Sequence, residues 1–294
     1  MNTTAWLDAD MLVWRAVEKA LVKGFFGSTG EPTNVLDFEK AKRGVMTEID
    51  RWMQKAGAND VVLAFTSPKN YRKLLTKTYN RKVKAPVPVV YEETVTPYDK
   101  GVPEAETVVD KDTTVGNKPV ANYKAHRPVR KPEGYFELIK YLEGVFPYER
   151  VMNLEADDLL GMAATSSHAN VVVSLDKDIY TIPGYILQPN RMPRPILNNQ
   201  ESADRAWMEQ VLMGDASDGY AGITGIGPMK AHRILQGATT CEAMWNEVVT
   251  SYAYAGLSYA EALLNARLSR ILREGDYDYN TKRVILWEPP KQER

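Results

Sequence analysis

The sequence predicts an α/β fold: a mostly parallel sheet flanked by helices, followed by a largely helical C-terminal region. Three observations predict it. Short apolar runs end in acids, Ala5-Trp6-Leu7 before Asp8 and Val171-Val172-Val173-Ser174-Leu175 before Asp176. Stretches with helical apolar spacing lie between such runs, as alternating strands and helices require. The C-terminal third opens with a glycine turn, Gly222-Ile223-Thr224-Gly225-Ile226-Gly227-Pro228, in which Pro228 suits a first helical position.

The elements follow in order. Thr4 to Leu7 reads as a buried strand with Asp8 at its end. Met11 to Lys23 reads as a helix, with Leu12, Ala16 and Leu21 on its apolar face, and Leu36 to Ala56 as a second. Asp60 to Phe65, a short apolar run after Gly57 and Asn59, is a second strand. Arg81 to Asn122 departs from this rhythm. From Lys84 it is rich in Val, Thr and Pro, and Val87 to Tyr91 is expected to pair with Glu106 to Val109 as a partly ordered hairpin arm, the alternative being a mobile excursion with little fixed structure. Asn153 is expected to cap a helix opening at Glu155, and Asn170 to Leu175 is a third strand. From Glu201 onward the chain reads as helical, with a closing strand near Arg283 to Trp287. Residues 1–200 are thus expected to form the core and its inserted arm, and 201–294 the helical region.

Composition narrows the function. The chain has 294 residues, 44% hydrophobic and 26% charged, enough to fill a sizeable core. No stretch approaches ~20 apolar residues, and no basic region leads into an apolar run, so neither a membrane span nor a secretory signal is expected. The lone Cys241 reads as a small core residue of a reducing compartment. Net charge is −1, yet the charge is segregated. Thr66 to Tyr91 carries cations and no acid, Glu92 to Asp112 is strongly acidic, and Thr113 to Pro132 is basic again. The acidic stretch is expected to compete with a polyanionic ligand for its basic flanks.

Carboxylates carry the chemistry. Glu155-Ala156-Asp157-Asp158 opens a helix that continues Leu159-Leu160, so its acids sit on a packed element and need a partner or a metal. Asp176 and Asp178 alternate along an extended segment, which aims them the same way. Asp215 and Asp218 share a loop and are spaced to reach one ion. Taken singly, each cluster is ordinary helix-start or turn chemistry. Together, hard oxygen donors without His or Cys at ligand spacing point to Mg²⁺ or Mn²⁺ rather than Zn²⁺. Two such ions about 4 Å apart would clamp a scissile phosphate. Gly225 and Gly227 leave room for a phosphate at the start of the next helix, and Lys230 adds charge there.

In order, Leu-Glu-Ala-Asp-Asp at 154–158, Ser-Leu-Asp-Lys-Asp at 174–178 and Gly-Asp-Ala-Ser-Asp-Gly-Tyr-Ala-Gly-Ile-Thr-Gly-Ile-Gly at 214–227 resemble the signature of the 5′-nuclease (flap endonuclease) superfamily. The likeness is greatest to the 5′→3′ exonucleases of T7-like phages and extends through Leu7-Asp8-Ala9-Asp10, Asn70-Tyr71-Arg72-Lys73 and Tyr123-Lys124-Ala125-His126-Arg127. The resemblance implies a PIN-like core with a helical arch and a helix-three-turn-helix subdomain. It implies Asp8, Glu155, Asp157, Asp158, Asp176, Asp178, Asp215 and Asp218 around two Mg²⁺ ions, with Asp176, Lys124 and Arg127 in catalysis. It sets Arg72, Lys73, Tyr123, Lys124, Arg127, Gly225, Gly227 and Lys230 against DNA, with Tyr123 stacking on an unpaired base. It further implies a potassium ion on the main-chain carbonyls of Leu212, Met213, Ala221, Ile223 and Ile226.

The implied activity is 5′→3′ hydrolysis of duplex DNA, extending to flaps and RNA primers, in the cytoplasm of a phage-infected host. One departure stands out. Many members carry an Asp after the second strand, where this chain has Thr66-Ser67, so that one carboxylate is either missing or replaced by Asp10. Two rival readings are an aspartyl-phosphate phosphatase using Asp8 and Asp10, and a non-catalytic DNA-binding protein of the same fold. The phosphatase leaves Glu155, Asp157 and Asp158 without a task, and a mere binder gains nothing from so much negative charge.

Overall fold

The computed structural model describes residues 2–26, 31–80, 114–115, 118–119, 123–125 and 131–290. Strand β1 (Thr4–Asp8) leads into α1 (Ala9–Ala20), then β2 (Leu21–Phe26) and β3 (Glu31–Leu36), α2 (Phe38–Ala56), β4 (Asp60–Ala64) and α3 (Tyr71–Asn80). After β5 (Thr114–Val115) and β6 (Lys118–Pro119) come α4 (Tyr135–Glu143), β7 (Tyr148–Glu149), α5 (Ala156–Ser166) and β8 (Asn170–Val173). A 3₁₀ turn (Lys177–Thr181) precedes β9 (Gly184–Leu187), β10 (Ile196–Asn198) and α6 (Gln200–Met213). The chain closes with β11 (Gly214–Asp215), β12 (Tyr220–Ala221), α7 (Pro228–Ile234), α8 (Cys241–Tyr254), α9 (Tyr259–Ser269), β13 (Tyr277–Asp278) and β14 (Arg283–Val284).

The main sheet has six strands in the order β10-β9-β8-β1-β4-β7. Every pairing in it is parallel except β9 with β10. The chain first builds outward from β1 to β4 and β7, then returns to place β8 on the other side of β1. That reversal makes the carboxyl ends of β1 and β8 a topological switch point, where ligands bind in open α/β sheets. Register sets Leu7 opposite Val173 and Asp8 opposite Ala64, so the acids that follow β1 and β8 emerge side by side.

Two hydrophobic clusters fill the molecule. The larger gathers β1, β4, β8 and the faces of α1, α2, α4 and α5, with Trp52, Phe65 and Tyr71 among its fully buried side chains. The second gathers α6 to α9 around Trp207, Met208, Trp245 and Tyr252. Trp287 joins that cluster edge-on, 4.9 Å from Trp207 and 5.2 Å from Trp245 between ring centroids.

Several expected boundaries move. The first helix stops at Ala20, not Lys23, because Leu21 turns extended and begins an antiparallel hairpin whose partner strand ends at Leu36. The second helix accordingly starts at Phe38, capped by the Asp37 carboxylate, which accepts from Lys40 N at 2.9 Å. The closing strand is shorter than Arg283 to Trp287: only Arg283 and Val284 pair, and Trp287 packs on tryptophans instead. Asn153 does not cap α5. It takes a left-handed turn (φ 69°), and Glu155 is the N-cap. The expected pairing of Val87 to Tyr91 with Glu106 to Val109 lies outside the described residues, as does Arg127.

Candidate metal centre

At the end of β1, Asp8 caps α1. Its Oδ1 accepts from Met11 N at 3.2 Å, and its Oδ2 from the Ser174 hydroxyl at 2.8 Å across the switch point. Two residues on, Asp10 reaches the end of β4, accepting from Thr66 N at 2.9 Å and from the Tyr135 hydroxyl at 3.0 Å. The Asp10 carboxylate thus lies against the end of β4, at the Thr66 position.

From the start of α5 come two acids with opposite surroundings. Glu155 accepts from the Tyr123 hydroxyl at 2.8 Å, from Arg72 at 3.0 Å and from the Lys124 ammonium. Burial alone would push its carboxyl up, but Lys124 and then Arg72 outweigh it and bring it down to about 2. Asp157 gets less help, from Lys124 alone, and it is outweighed. Burial, then Asp8 and Asp176, hold it well above the ordinary carboxylate range. Asp8 is pushed up to about 7, by burial first and Asp10 second. Asp178 rises to about 6 through burial and the neighbouring Asp176. Asp176 itself caps the 3₁₀ turn, accepting from Asp178 N at 3.1 Å.

The third group comes from the β11–β12 hairpin. Asp215 folds onto its own turn, accepting from Ser217 N at 2.7 Å, and is bridged by Lys177 at 2.9 Å. The Ser217 hydroxyl and Lys177 overcome burial and lower it to about 2. Asp218 accepts from the Tyr123 hydroxyl at 3.0 Å and lies 3.7 Å from the Lys124 ammonium. Lys124 is held in the left-handed region (φ 52°), a costly conformation for a residue with a Cβ. Its N–H donates to Asp218 O at 2.8 Å, which fixes the side chain between two acids.

Three expectations are corrected by this geometry. Arg72 does not face a phosphate; it is only 3% exposed. Its N–H groups go to Asp158 (2.8 and 2.6 Å), Glu155 (3.0 Å), Leu268 O (2.9 Å) and Arg270 O (2.6 Å), which uses all five donors. Asp158 is fully buried, and its oxygens are taken by Arg72, Glu155 N and Leu272 N, so it stands behind the cleft as a structural partner rather than as an ion ligand. Tyr123 is 3% exposed, with its ring against Arg72 and Lys124, so it is not presented for stacking on a base.

Of the other expected contacts, Lys73 is exposed on α3. Gly225 has a left-handed φ of 82°, and a Cβ there or at Gly227 would meet nothing within 4 Å. Lys230 is exposed and bonds Gly225 O at 2.9 Å, tying the turn to α7. Among the carbonyls expected to face potassium, Leu212 accepts from Ile223 N, Ala221 from Asn265 and Ile223 from Ile226 N, which leaves each a second lone pair. Sequence reasoning missed Ser174, Lys177, Gln210 and Tyr135 as partners of the acids. Ser174 and Lys177 lay within the 174–178 motif; nothing in the sequence singled out Gln210.

Among the described residues, no three acids, His or Cys are gathered tightly enough to cage an ion as they stand; ammonium groups of Lys124 and Lys177 hold part of the set. The donor chemistry nonetheless fits divalent cations. Asp8, Asp157 and Asp178 are hard-oxygen donors raised first by burial and then by neighbouring acids, Asp10 on Asp8, Asp8 on Asp157 and Asp176 on Asp178, and protons or cations relieve that repulsion. The same geometry disfavours the phosphatase reading, because both Asp8 oxygens are engaged and Asp10 is turned to Thr66 and Tyr135.

No family model matches the chain. It is 30% identical to the exodeoxyribonuclease of Enterobacteria phage T3, over a 206-residue alignment taking in 57% of this chain and 67% of that protein. The exonuclease of Escherichia phage T7 is 29% identical, with 57% and 68% covered. Among solved structures, the T5 D15 protein co-crystallized with metal ions superposes with a TM-score of 0.55 at 13% identity, covering 92% of this chain and 89% of that one. The bacteriophage T5 D15 flap endonuclease in a pseudo-enzyme-product complex with DNA and metal ions gives 0.53 at 14%, covering 91% and 89%. These last two likenesses establish the shared fold.

Proposed function

The chain belongs to the 5′-nuclease (flap endonuclease) superfamily, and on that premise we infer that its carboxylate cleft is the centre of a metal-dependent 5′→3′ exonuclease and flap endonuclease acting on DNA. The observation that carries this reading is the convergence of acids from β1, from the start of α5 and from the turn after β8 at a sheet switch point, where burial and neighbouring carboxylates raise Asp8, Asp157 and Asp178. Asp8, Glu155, Asp157 and Asp176 are the ligands we assign to one Mg²⁺ or Mn²⁺, and Asp178, Asp215 and Asp218 to a second. Ions bound there would neutralise the scissile phosphate and stabilise charge on the attacking and leaving oxygens.

The chain's own residues do the rest. Lys124 lies between Glu155 and Asp218, where its ammonium can pass from the carboxylates to a phosphate oxygen once the acids are otherwise neutralised. Arg72 and Asp158 fix the start of α5, and with it Glu155 and Asp157. The open turn at Gly225 and Gly227 and the exposed Lys73 offer contacts to the duplex backbone, and Arg127 is a further DNA contact proposed from the sequence alone. A potassium ion on the carbonyls of Leu212, Met213, Ala221, Ile223 and Ile226, and RNA primers as additional substrates, are the finer parts of the same reading.

The test is a product-length assay on 5′- and 3′-labelled duplex and flap DNA. With Mg²⁺, 5′ ends should be trimmed and flaps removed; with chelator, neither. Asp176→Asn should bind DNA and fail to cut it. Residual turnover above about one per cent of wild type would contradict a direct ligand role, since losing a ligand costs several kcal/mol of charge stabilisation.

A further inference from the structure

Two buried side chains beside Asp178, Asp215 and Asp218 leave polar atoms without a partner. Gln210 stands near the end of α6 and is 7% exposed; Tyr220 lies on β12 and is 2% exposed. The packing of α6 against the 3₁₀ turn brings the Gln210 amide to Asp178, and the hydrogen bond it makes there lowers that acid against burial and Asp176. The other end of the same amide, Oε1, is buried with no hydrogen-bond partner. Tyr220 pairs with Asp215 across the β11–β12 ladder, which puts both side chains on one face. Asp178, Asp215 and Asp218 are the acids that bear on its phenol, yet its hydroxyl is also buried without a hydrogen-bond partner.

Two comparable buried side chains are satisfied. Gln188 donates to Leu175 O at 2.9 Å and accepts from the Tyr180 hydroxyl at 3.3 Å. The Tyr252 hydroxyl donates to Val211 O at 2.8 Å and accepts from Asn265 at 2.8 Å. A buried polar group left unpaired costs stability, and here two such groups adjoin the same three acids. A cavity of about 20 Å³ opens among Gln210, Asp178 and Asp218. About 10–15 Å³ is enough to hold one water. Mg²⁺ keeps several of its waters when carboxylates bind it, and those waters present O–H donors. The Gln210 Oε1 can only accept, and a tyrosine hydroxyl accepts as well as donates. Both side chains are neutral. Lys177 holds Asp215 by charge and must yield to an arriving cation, whereas an amide and a phenol can stay in place.

Resting on the two-ion reading above, we propose that Gln210 and Tyr220 are positioning residues of the second ion. The Gln210 amide aims Asp178 at it, and Gln210 Oε1 and the Tyr220 hydroxyl accept hydrogen bonds from the water that the ion retains. The pair thus suits the site to a hydrated, hard divalent cation.

The test counts Mn²⁺ bound to the DNA-free protein by electron paramagnetic resonance of the free ion, with melting temperatures measured in chelator alongside. Wild type should bind two ions. Tyr220→Phe should bind one of them as wild type does and the other about 10- to 100-fold more weakly, the usual effect of losing a partner that orients a metal's ligands. In chelator it should melt no lower than wild type, because phenylalanine removes only the unpartnered hydroxyl. Gln210→Met should weaken the same ion to a similar degree. Asp215→Asn should weaken that ion as well, and adding Tyr220→Phe to it should cost less than Tyr220→Phe costs alone. Two ions held with wild-type affinity by both Tyr220→Phe and Gln210→Met would overturn the proposal and leave the two-ion reading standing. A Tyr220→Phe protein that melts lower in chelator would also overturn it, since the hydroxyl would then support the fold itself. Fewer than two ions on wild type would overturn the two-ion reading and the proposal with it.

Discussion

Replacing Arg72 by methionine distinguishes the residue's place in the structure from the DNA contact that the sequence suggests. The side chain is buried and spends all five donors on two carboxylates and two carbonyls. Methionine keeps much of the volume and removes the charge. Asp158, fully buried, would then hold a negative charge with only Glu155 N and Leu272 N to answer it. Breaking a buried pair in this way costs about 3–5 kcal/mol. The carbonyls of Leu268 and Arg270 lose a partner at about 1 kcal/mol each. A total near 5 kcal/mol is a large part of the roughly 5–15 kcal/mol that holds a domain together. Urea unfolding followed by tryptophan fluorescence measures it. The double variant Arg72→Met/Asp158→Leu should recover at least about 1 kcal/mol, because it removes the stranded charge as well. A loss below about 1 kcal/mol, with weaker DNA binding and a salt slope shallower by about one, would refute the buried-crosslink argument and make Arg72 a phosphate contact.

Four other outcomes are expected. Lys124→Ala should slow single-turnover cleavage on the order of 10²-fold, because one oriented cation is removed from the cleft; an unchanged rate would remove its catalytic role. Mg²⁺ should raise the melting temperature, by about 2.7 kcal/mol of stabilisation at a hundred times its dissociation constant. Asp157→Asn should instead melt higher than wild type without Mg²⁺ and gain less from adding it, because burial, Asp8 and Asp176 all oppose the Asp157 charge; a lower metal-free melting temperature would contradict that. Gly222→Ala should destabilise by several kcal/mol in denaturant unfolding, since its Cβ would fall 2.3 Å from Gly214 N and 2.4 Å from Leu212 O, both backbone atoms. A tolerated alanine would mean the β11–β12 turn can spread.

The strands were legible because buried parallel strands are written as short β-branched runs, and both Asp8 and Asp176 follow such runs. The end of the first helix was not. Leu21 continues its apolar periodicity, and only pairing with a strand ending at Leu36 makes Leu21 extended. The role of Arg72 was equally hidden. Its motif position reads as an exposed cation beside Lys73, but its principal partner lies 86 residues away on α5. Tyr123 suffers the same ambiguity, since an aromatic beside a lysine fits a stacking platform and a buried phenol alike. The neighbour of Thr66 was hidden for a spatial reason: Asp10, the second residue of α1, meets the end of β4 only once β1 and β4 pair.

By itself, the sequence determined the donor chemistry, the succession of the three core strands β1, β4 and β8, and the family. Those depend on residue type, local periodicity and linear spacing, all of which are one-dimensional. Tertiary structure decided which acids repel one another across the cleft and which are neutralised behind it. Asp157 and Asp158 are adjacent in sequence, yet one is raised by Asp8 and Asp176 while the other is locked to Arg72. The state of a carboxylate is set by the charges within a few ångströms of it and by the water it has lost, and both are properties of the folded chain.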